Sequence, residues 1–117
     1  MIKVKRIYDQ AQKNDGFRIL VDRLWPRGVS KETASVDLWL RDIAPSDGLR
    51  KWFCHDPAKW SEFGNRYTRE LKRQPDALKQ IKRIEKENGV VTLLYAAKDK
   101  EHNNAVALTK ILQKQRG

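Results

Sequence analysis

A single α/β domain, with a small, mostly parallel sheet flanked by helices, is the fold this 117-residue sequence predicts. Three observations predict it. Two short apolar runs, 17–21 and 90–95, have the near-continuous hydrophobic character of strands buried on both faces of a parallel sheet. Several other stretches place apolar residues at helical spacing. The last strand passes through a polar loop straight into a helix, the unit from which parallel sheets are built. At this length one core fits and two independently packed ones do not, so residues 1–117 are read as one domain.

Taken in order, Ile2, Val4 and Ile7, with Lys3 and Lys5 between them, read as a first strand, and the polar turn segment 12–16 closes it. Phe17, Ile19, Leu20 and Val21 make a second strand, expected to be central. It ends in 22–28, where Pro26 and Gly28 stop regular structure. Val36, Leu38 and Leu40 alternate with Asp37, Trp39 and Arg41, the pattern of a short extended segment. Ser46 is placed to cap a helix carrying Leu49, Trp52 and Phe53, with Cys54 following on its apolar side as a small packed residue. Asp56 and Pro57 form an N-cap and first-turn pair for the next helix, so two helices abut near His55. Trp60, Phe63, Tyr67 and Leu71 give that next helix one apolar stripe against Glu62, Arg66, Arg69 and Lys72. A further helix starts near Pro75 and Asp76, turns Leu78, Ile81 and Ile84 inward, and stops at Asn88 and Gly89. The strongest strand signal, 90–95, comes next; then loop 96–101; then a last helix with Ala105, Leu108, Ile111 and Leu112 inward.

The formal charge is +10, which favours anionic partners without choosing between phosphorylated metabolites and nucleic acid. The single cysteine excludes an internal disulfide and any Cys-x-x-Cys site, and fits a reducing, cytoplasmic setting. Charges at Lys3, Lys5 and Arg6 break the opening segment, so neither a signal peptide nor a membrane span is expected.

Ligands of open α/β sheets bind beyond the carboxyl ends of the strands. Two segments are expected at that edge. Segment 22–28 supplies Asp22, Arg23, Trp25 and Arg27; segment 95–104 supplies Tyr95, Lys98, Asp99, His102, Asn103 and Asn104; His55 stands near a helix junction that would face them. Arginine offers forked donors to a carboxylate or phosphate, and the free N–H groups of a helix start favour the same guest. In this reading a small anion occupies the crevice and His102 donates or accepts a proton, with Asp22 or Asp99 orienting it. Arg23, Trp25, Arg27, His55, Tyr95, Lys98, Asn103 and Asn104 contact the ligand. The alternative for the same residues is a structural network in which Arg23 and Arg27 pair with Asp22 and Asp99 and an asparagine caps the helix. No nucleophile stands out, so turnover is left open, and the residues name no cofactor and no oligomeric state.

The blocks FRILVDRLWPRGVSKE, DLWLRDIAPS, LRKWFCHDPAKWSEF, RYTREL and VTLLYAAKDKEHNNAVAL resemble the YeaO-like branch of a bacterial domain family of unknown function, family 488, over nearly the whole chain. The resemblance implies an α/β domain without an assigned activity. Longer members of the wider family look rhodanese-like at the last strand-loop-helix, where cysteines precede a Cys-His-Arg at the helix start. Here that place holds His102, Asn103 and Asn104 and no thiol, so a persulfide or cysteinyl-phosphate route through the loop is not available.

Three further readings compete. Cys54, His55 and Asp56 could form a nucleophile and base, although sequence neighbours rarely face one another that way and a packed Cys54 with a capping Asp56 explains them. His55, His102 and Asp99 or Asp22 are the one combination that could offer two imidazoles and a carboxylate to ferrous iron. Lys79, Lys82, Arg83 and Lys86, flanked by Lys72 and Arg73, form a basic helix face that could hold nucleic acid weakly and without sequence preference.

Overall fold

A computed structural model describes residues 1–114. Four strands, β1 (Ile2–Arg6), β2 (Phe17–Leu20), β3 (Leu38–Trp39) and β4 (Val91–Tyr95), form one sheet in the order β1-β4-β2-β3. Every pairing is parallel. β4, last in the chain, is inserted between the first two strands: Leu93 lies opposite Val4 on one side and Ile19 on the other. All five of its residues are buried, which is why its sequence shows a continuous apolar run in place of alternation. Because the strands share one direction, the ends of β1, β2 and β4 lie side by side along one edge of the sheet.

Among the described residues five α-helices accompany the sheet: α1 (Lys31–Ala34), α2 (Asp47–Phe53), α3 (Trp60–Leu71), α4 (Pro75–Asn88) and α5 (Asn104–Lys114). The larger core lies where α2 to α5 meet the face carrying Ile19, Val21, Val91, Leu93 and Tyr95. Phe63, Tyr67 and Leu71 of α3 and Leu78, Ile81 and Ile84 of α4 fill it, and each such side chain contributes about 1.5–3 kcal/mol through burial. The smaller cluster on the opposite face joins Ile7, Leu20, Ala34 and Leu94 to Trp25 and Trp39, whose rings meet edge-on at 5.4 Å. Local signals set the boundaries. Ser46 Oγ accepts from Leu49 N–H at 3.2 Å to start α2, and Gly89, at φ +81°, ends α4.

The structure departs from the sequence reading at several places. Asp56 caps a single 3₁₀ turn, Pro57–Lys59, which then runs into α3. The extended segment around Val36 to Arg41 shrinks to the two residues of β3, and α1, capped by Ser30, was not anticipated. Cys54 is exposed, not packed: α2 ends at Phe53, and Cys54 takes a left-handed conformation at its C-cap, which turns it off the apolar face. The turn segment 12–16 is not simply solvated either, because Asp15 is buried beneath it against Arg18 of β2.

Candidate functional site

A crevice of about 730 Å³ opens beyond the edge where β1, β2 and β4 end. It is lined by Arg6 and Tyr8 after β1, by Asp22 to Arg27 after β2, by Ala44, Pro45, Arg50, Phe53, His55 and Phe63 from the helical layer, and by Ala96 to Asp99 with His102 to Asn104 after β4. Every residue expected to form the anion crevice stands in this lining except Tyr95, which is buried in β4 on the face that packs against the helices. Arg6, Tyr8 and Arg50 were not anticipated.

Asp22 fastens the site together. Its Oδ2 accepts from Ala96 N–H at 2.9 Å and its Oδ1 from Asn104 Nδ2 at 3.1 Å; the same amide donates to Val21 O at 2.9 Å. The end of β2 is thereby tied to the loop after β4 and to the first turn of α5. Burial pushes the Asp22 pKa up, while the bonds from Asn104 and Ala96 restrain the rise. Asn103 caps α5, its Oδ1 accepting from Val106 N–H at 3.0 Å. In the loop itself Asp99 Oδ1 accepts from Glu101 and His102 N–H, and those two bonds hold its pKa below the ordinary aspartate value. Asp99 Oδ2 lies 3.0 Å from His102 Nδ1. An ionised carboxylate only accepts, so Nδ1 carries the proton and Nε2 is left as the open nitrogen. The imidazole also meets the Trp60 ring edge-on at 5.3 Å.

The cations are arranged differently from the predicted ion-pair alternative. Arg23 donates to the carbonyls of Pro45 at 3.2 Å and Ala44 at 3.3 Å, and among the described residues neither it nor Arg27 pairs with a carboxylate. Arg6 Nε donates to Ala96 O and Ala97 O, and its guanidinium lies 4.6 Å from the Tyr8 ring centroid. Tyr8 Oη donates to Arg27 O at 2.9 Å, which brings the Arg27 backbone beside Arg6. The Arg27 guanidinium and the Lys98 ammonium make no hydrogen bond or ion pair among the described residues. Arg50 pairs with Asp47 at 3.3 Å, so Arg6, Arg23, Arg27 and Lys98 set four positive charges without a carboxylate partner among the described residues against Asp22 and Asp99, whose oxygens already receive internal donors.

Backbone strain sits at the mouth. Cys54 and His55 adopt φ of +47° and +56° in succession, a region that costs a non-glycine residue about 1–2 kcal/mol. His55 lines the crevice and Cys54 does not. Cys54→Gly and His55→Gly are each expected to raise stability by up to about 1 kcal/mol, relief of strain outweighing the extra entropy of an unfolded glycine. Paired urea titrations and ligand melts check this: only His55→Gly should weaken an anion response.

The crevice lining contains no serine, threonine or cysteine, and Cys54, the proposed thiol, lies outside it. The iron reading is corrected as well. Among the described residues no group of three His, Cys, Asp or Glu comes together in a way that could hold a metal ion: Asp99 is spent on His102 and on the loop, and Asp22 on Ala96 and Asn104. Lys79, Arg83 and Lys86 are exposed on α4 with Lys72 and Arg73 near its start, and none of them borders the crevice. No helix among the described residues is long and apolar enough to cross a membrane.

Comparison with known proteins matches residues 1–116 to a family described as the inactive DUF488-N3 subclade. The chain is 41% identical over 112 residues to the uncharacterized protein YeaO of Escherichia coli K12, covering 96% of each. It is 36% identical over 111 residues to the uncharacterized proteins Mb3100c of Mycobacterium bovis and Rv3073c of Mycobacterium tuberculosis H37Rv, covering 95% of this chain and 92% of theirs. No solved structure matches it.

Proposed function

The chain belongs to the inactive DUF488-N3 subclade, and from that premise we propose that it binds a small anion without turning it over, in the crevice beyond the carboxyl ends of β1, β2 and β4. One observation carries the reading: Arg27 and Lys98 line the crevice with no hydrogen-bond or ion-pair partner for their charged groups among the described residues, whereas both of its carboxylates are already engaged. A field of that sign attracts an anion and repels a cation. In this reading Arg27, Lys98 and Arg6 hold the guest. Asp22 and Asn104 keep the two loops in register, and Asp99 orients His102 so that Nε2 can accept from the ligand or, once protonated, donate to it. The word inactive in the subclade's description agrees with a lining that lacks a hydroxyl or thiol nucleophile of Ser, Thr or Cys. A cytoplasmic setting belongs to the same proposal, resting on a single cysteine with no second one to pair with.

Thermal melting in phosphate, sulfate and small carboxylates tests it. An anion at about 100 times its dissociation constant adds about 2.7 kcal/mol, which for a chain of this size raises Tm by about 10 °C. Arg27→Ala should remove most of that rise and Lys82→Ala, on α4, none of it, which separates a site from general charge screening. His102→Ala should weaken the response too, because it removes the Nε2 that Asp99 orients through Nδ1. Unchanged melting across the panel, or equal losses in the two cation variants, would overturn the reading.

A further inference from the structure

Burial along the crevice is sorted by chemistry. Part of its lining is buried and apolar: Phe53 and Phe63 are 5% and 2% exposed and stack with centroids 4.4 Å apart, and Pro26 and Pro45 are buried too. Its outer lining is cationic, with Arg27 and Lys98 exposed. Leu24, an apolar side chain of the same lining, is 59% exposed. An inorganic ion at the rim would meet cations that sit in water, where screening leaves such pairs weak, and the apolar lining would give it nothing. A hollow of about 730 Å³ is of the size that takes up a drug-sized organic molecule.

Resting on the anion-binding reading above, we infer that the ligand is amphiphilic: an organic carboxylate or phosphate whose apolar body packs against Phe53, Phe63 and Leu24 while its anionic head stays with Arg27 and Lys98. The body supplies the affinity and the head sets the direction of entry. The less exposed polar groups of the lining are consistent with this division, since Asp22, Asn103 and Asn104 all spend side-chain atoms on the protein's own backbone and on each other. They reinforce the crevice wall and leave it apolar in character.

Isothermal titration calorimetry with four probes tests the inference: inorganic phosphate, phenyl phosphate, phenylacetate and benzyl alcohol. The aryl anions are expected to bind roughly 30-fold or more tightly than inorganic phosphate, the gain from burying one aromatic ring. Their binding should carry a negative heat-capacity change, the marker of apolar burial, which inorganic phosphate lacks. Leu24→Ala, at an exposed position that the fold does not depend on, should weaken the aryl anions by roughly fivefold and leave inorganic phosphate unchanged. If phenyl phosphate and inorganic phosphate bind alike, the amphiphile falls and the anion reading stands. If benzyl alcohol binds as tightly as phenyl phosphate, or if no probe binds, both fall.

Discussion

Asp15→Ala is expected to destabilise the protein by about 3–5 kcal/mol, because it leaves a buried guanidinium without its counter-charge. Asp15 and Arg18 are each 4% exposed, and Arg18 Nη1 meets Asp15 Oδ2 at 2.5 Å. Lys5 Nζ reaches both carboxylate oxygens at 3.1 Å, and Gln12 N–H donates to Oδ2 at 3.0 Å. The rest of Arg18 is spent on the carbonyls of Ala34 and Ser35, at 3.0 Å each, so α1 and β2 are joined through this one side chain. Without the carboxylate only those two dipoles remain to face a desolvated charge. The double change Asp15→Ala with Arg18→Met removes both ions and should recover much of the loss, a coupling that chemical denaturation of the three variants measures. A loss below about 1 kcal/mol in the single variant would show that water reaches the pair. The acid limb has a definite sign. Burial works against the charged form of Asp15, but the bonds from Gln12, Lys5 and Arg18 outweigh it and lower the pKa from its ordinary 3.8. A carboxyl depressed on folding contributes stability above its unfolded pKa, and that contribution is lost as pH falls through the folded one. The wild type should therefore weaken below the ordinary aspartate range, and Asp15→Asn should flatten that limb.

What the sequence made legible follows from how much of each feature is local. The run 90–95 after Gly89, and the stripe of Phe63, Tyr67 and Leu71, carry their burial in their own residue types, and both formed as read. The two halves of the crevice were legible because parallel strands deliver their loops to one edge, whichever strand lies next to which. Arg6 and Tyr8 were not, since β1 joins the site only by pairing with β4, about 90 residues away, and nothing local in either strand specifies that partner. Tyr95 carried a signal that went unused: counting by twos it shares a face with Val91 and Leu93, which places it in the helical core and away from the ligand edge. Asp15 misled for a physical reason. A charge in a turn is normally hydrated, and only the odd presence of Arg18 inside an otherwise apolar strand, three residues on, pointed to a buried partner. The left-handed pair at Cys54 and His55 has little sequence mark, because cysteine does not favour that conformation and histidine, although enriched there, adopts it only in a minority of cases.

Gly16→Ala is the second large loss expected, at least about 3 kcal/mol, from two independent causes. Gly16 has φ +66° and ψ −137°, a region that in practice only glycine occupies, and forcing a side chain there costs about 1–3 kcal/mol. A Cβ at this position would also run into the Val90 carbonyl oxygen and stand 2.8 Å from Val90 Cβ and 2.9 Å from Val90 C, two of these three being backbone atoms that cannot rotate aside. The clash falls where β2 meets β4: Phe17 N–H donates to Val90 O at 3.0 Å, and from there the register runs through Ile19 and Leu93 to the Val21 N–H bond with Leu94 O. One residue further on, Asp22 holds Ala96. A shift at Gly16 is thus carried along the strand pair to the crevice. Gly89→Ala is the matched control: at φ +81° it bears conformational strain but has no atom within 4 Å of the new Cβ, so it should cost only about 1–2 kcal/mol. Urea denaturation compares the two directly. If they lose equal stability, the close approach of Gly16 to Val90 contributes nothing. If Gly16→Ala loses more and also blunts the anion-induced rise in Tm at temperatures where it remains folded, the β2–β4 register is what aligns the two loops of the site.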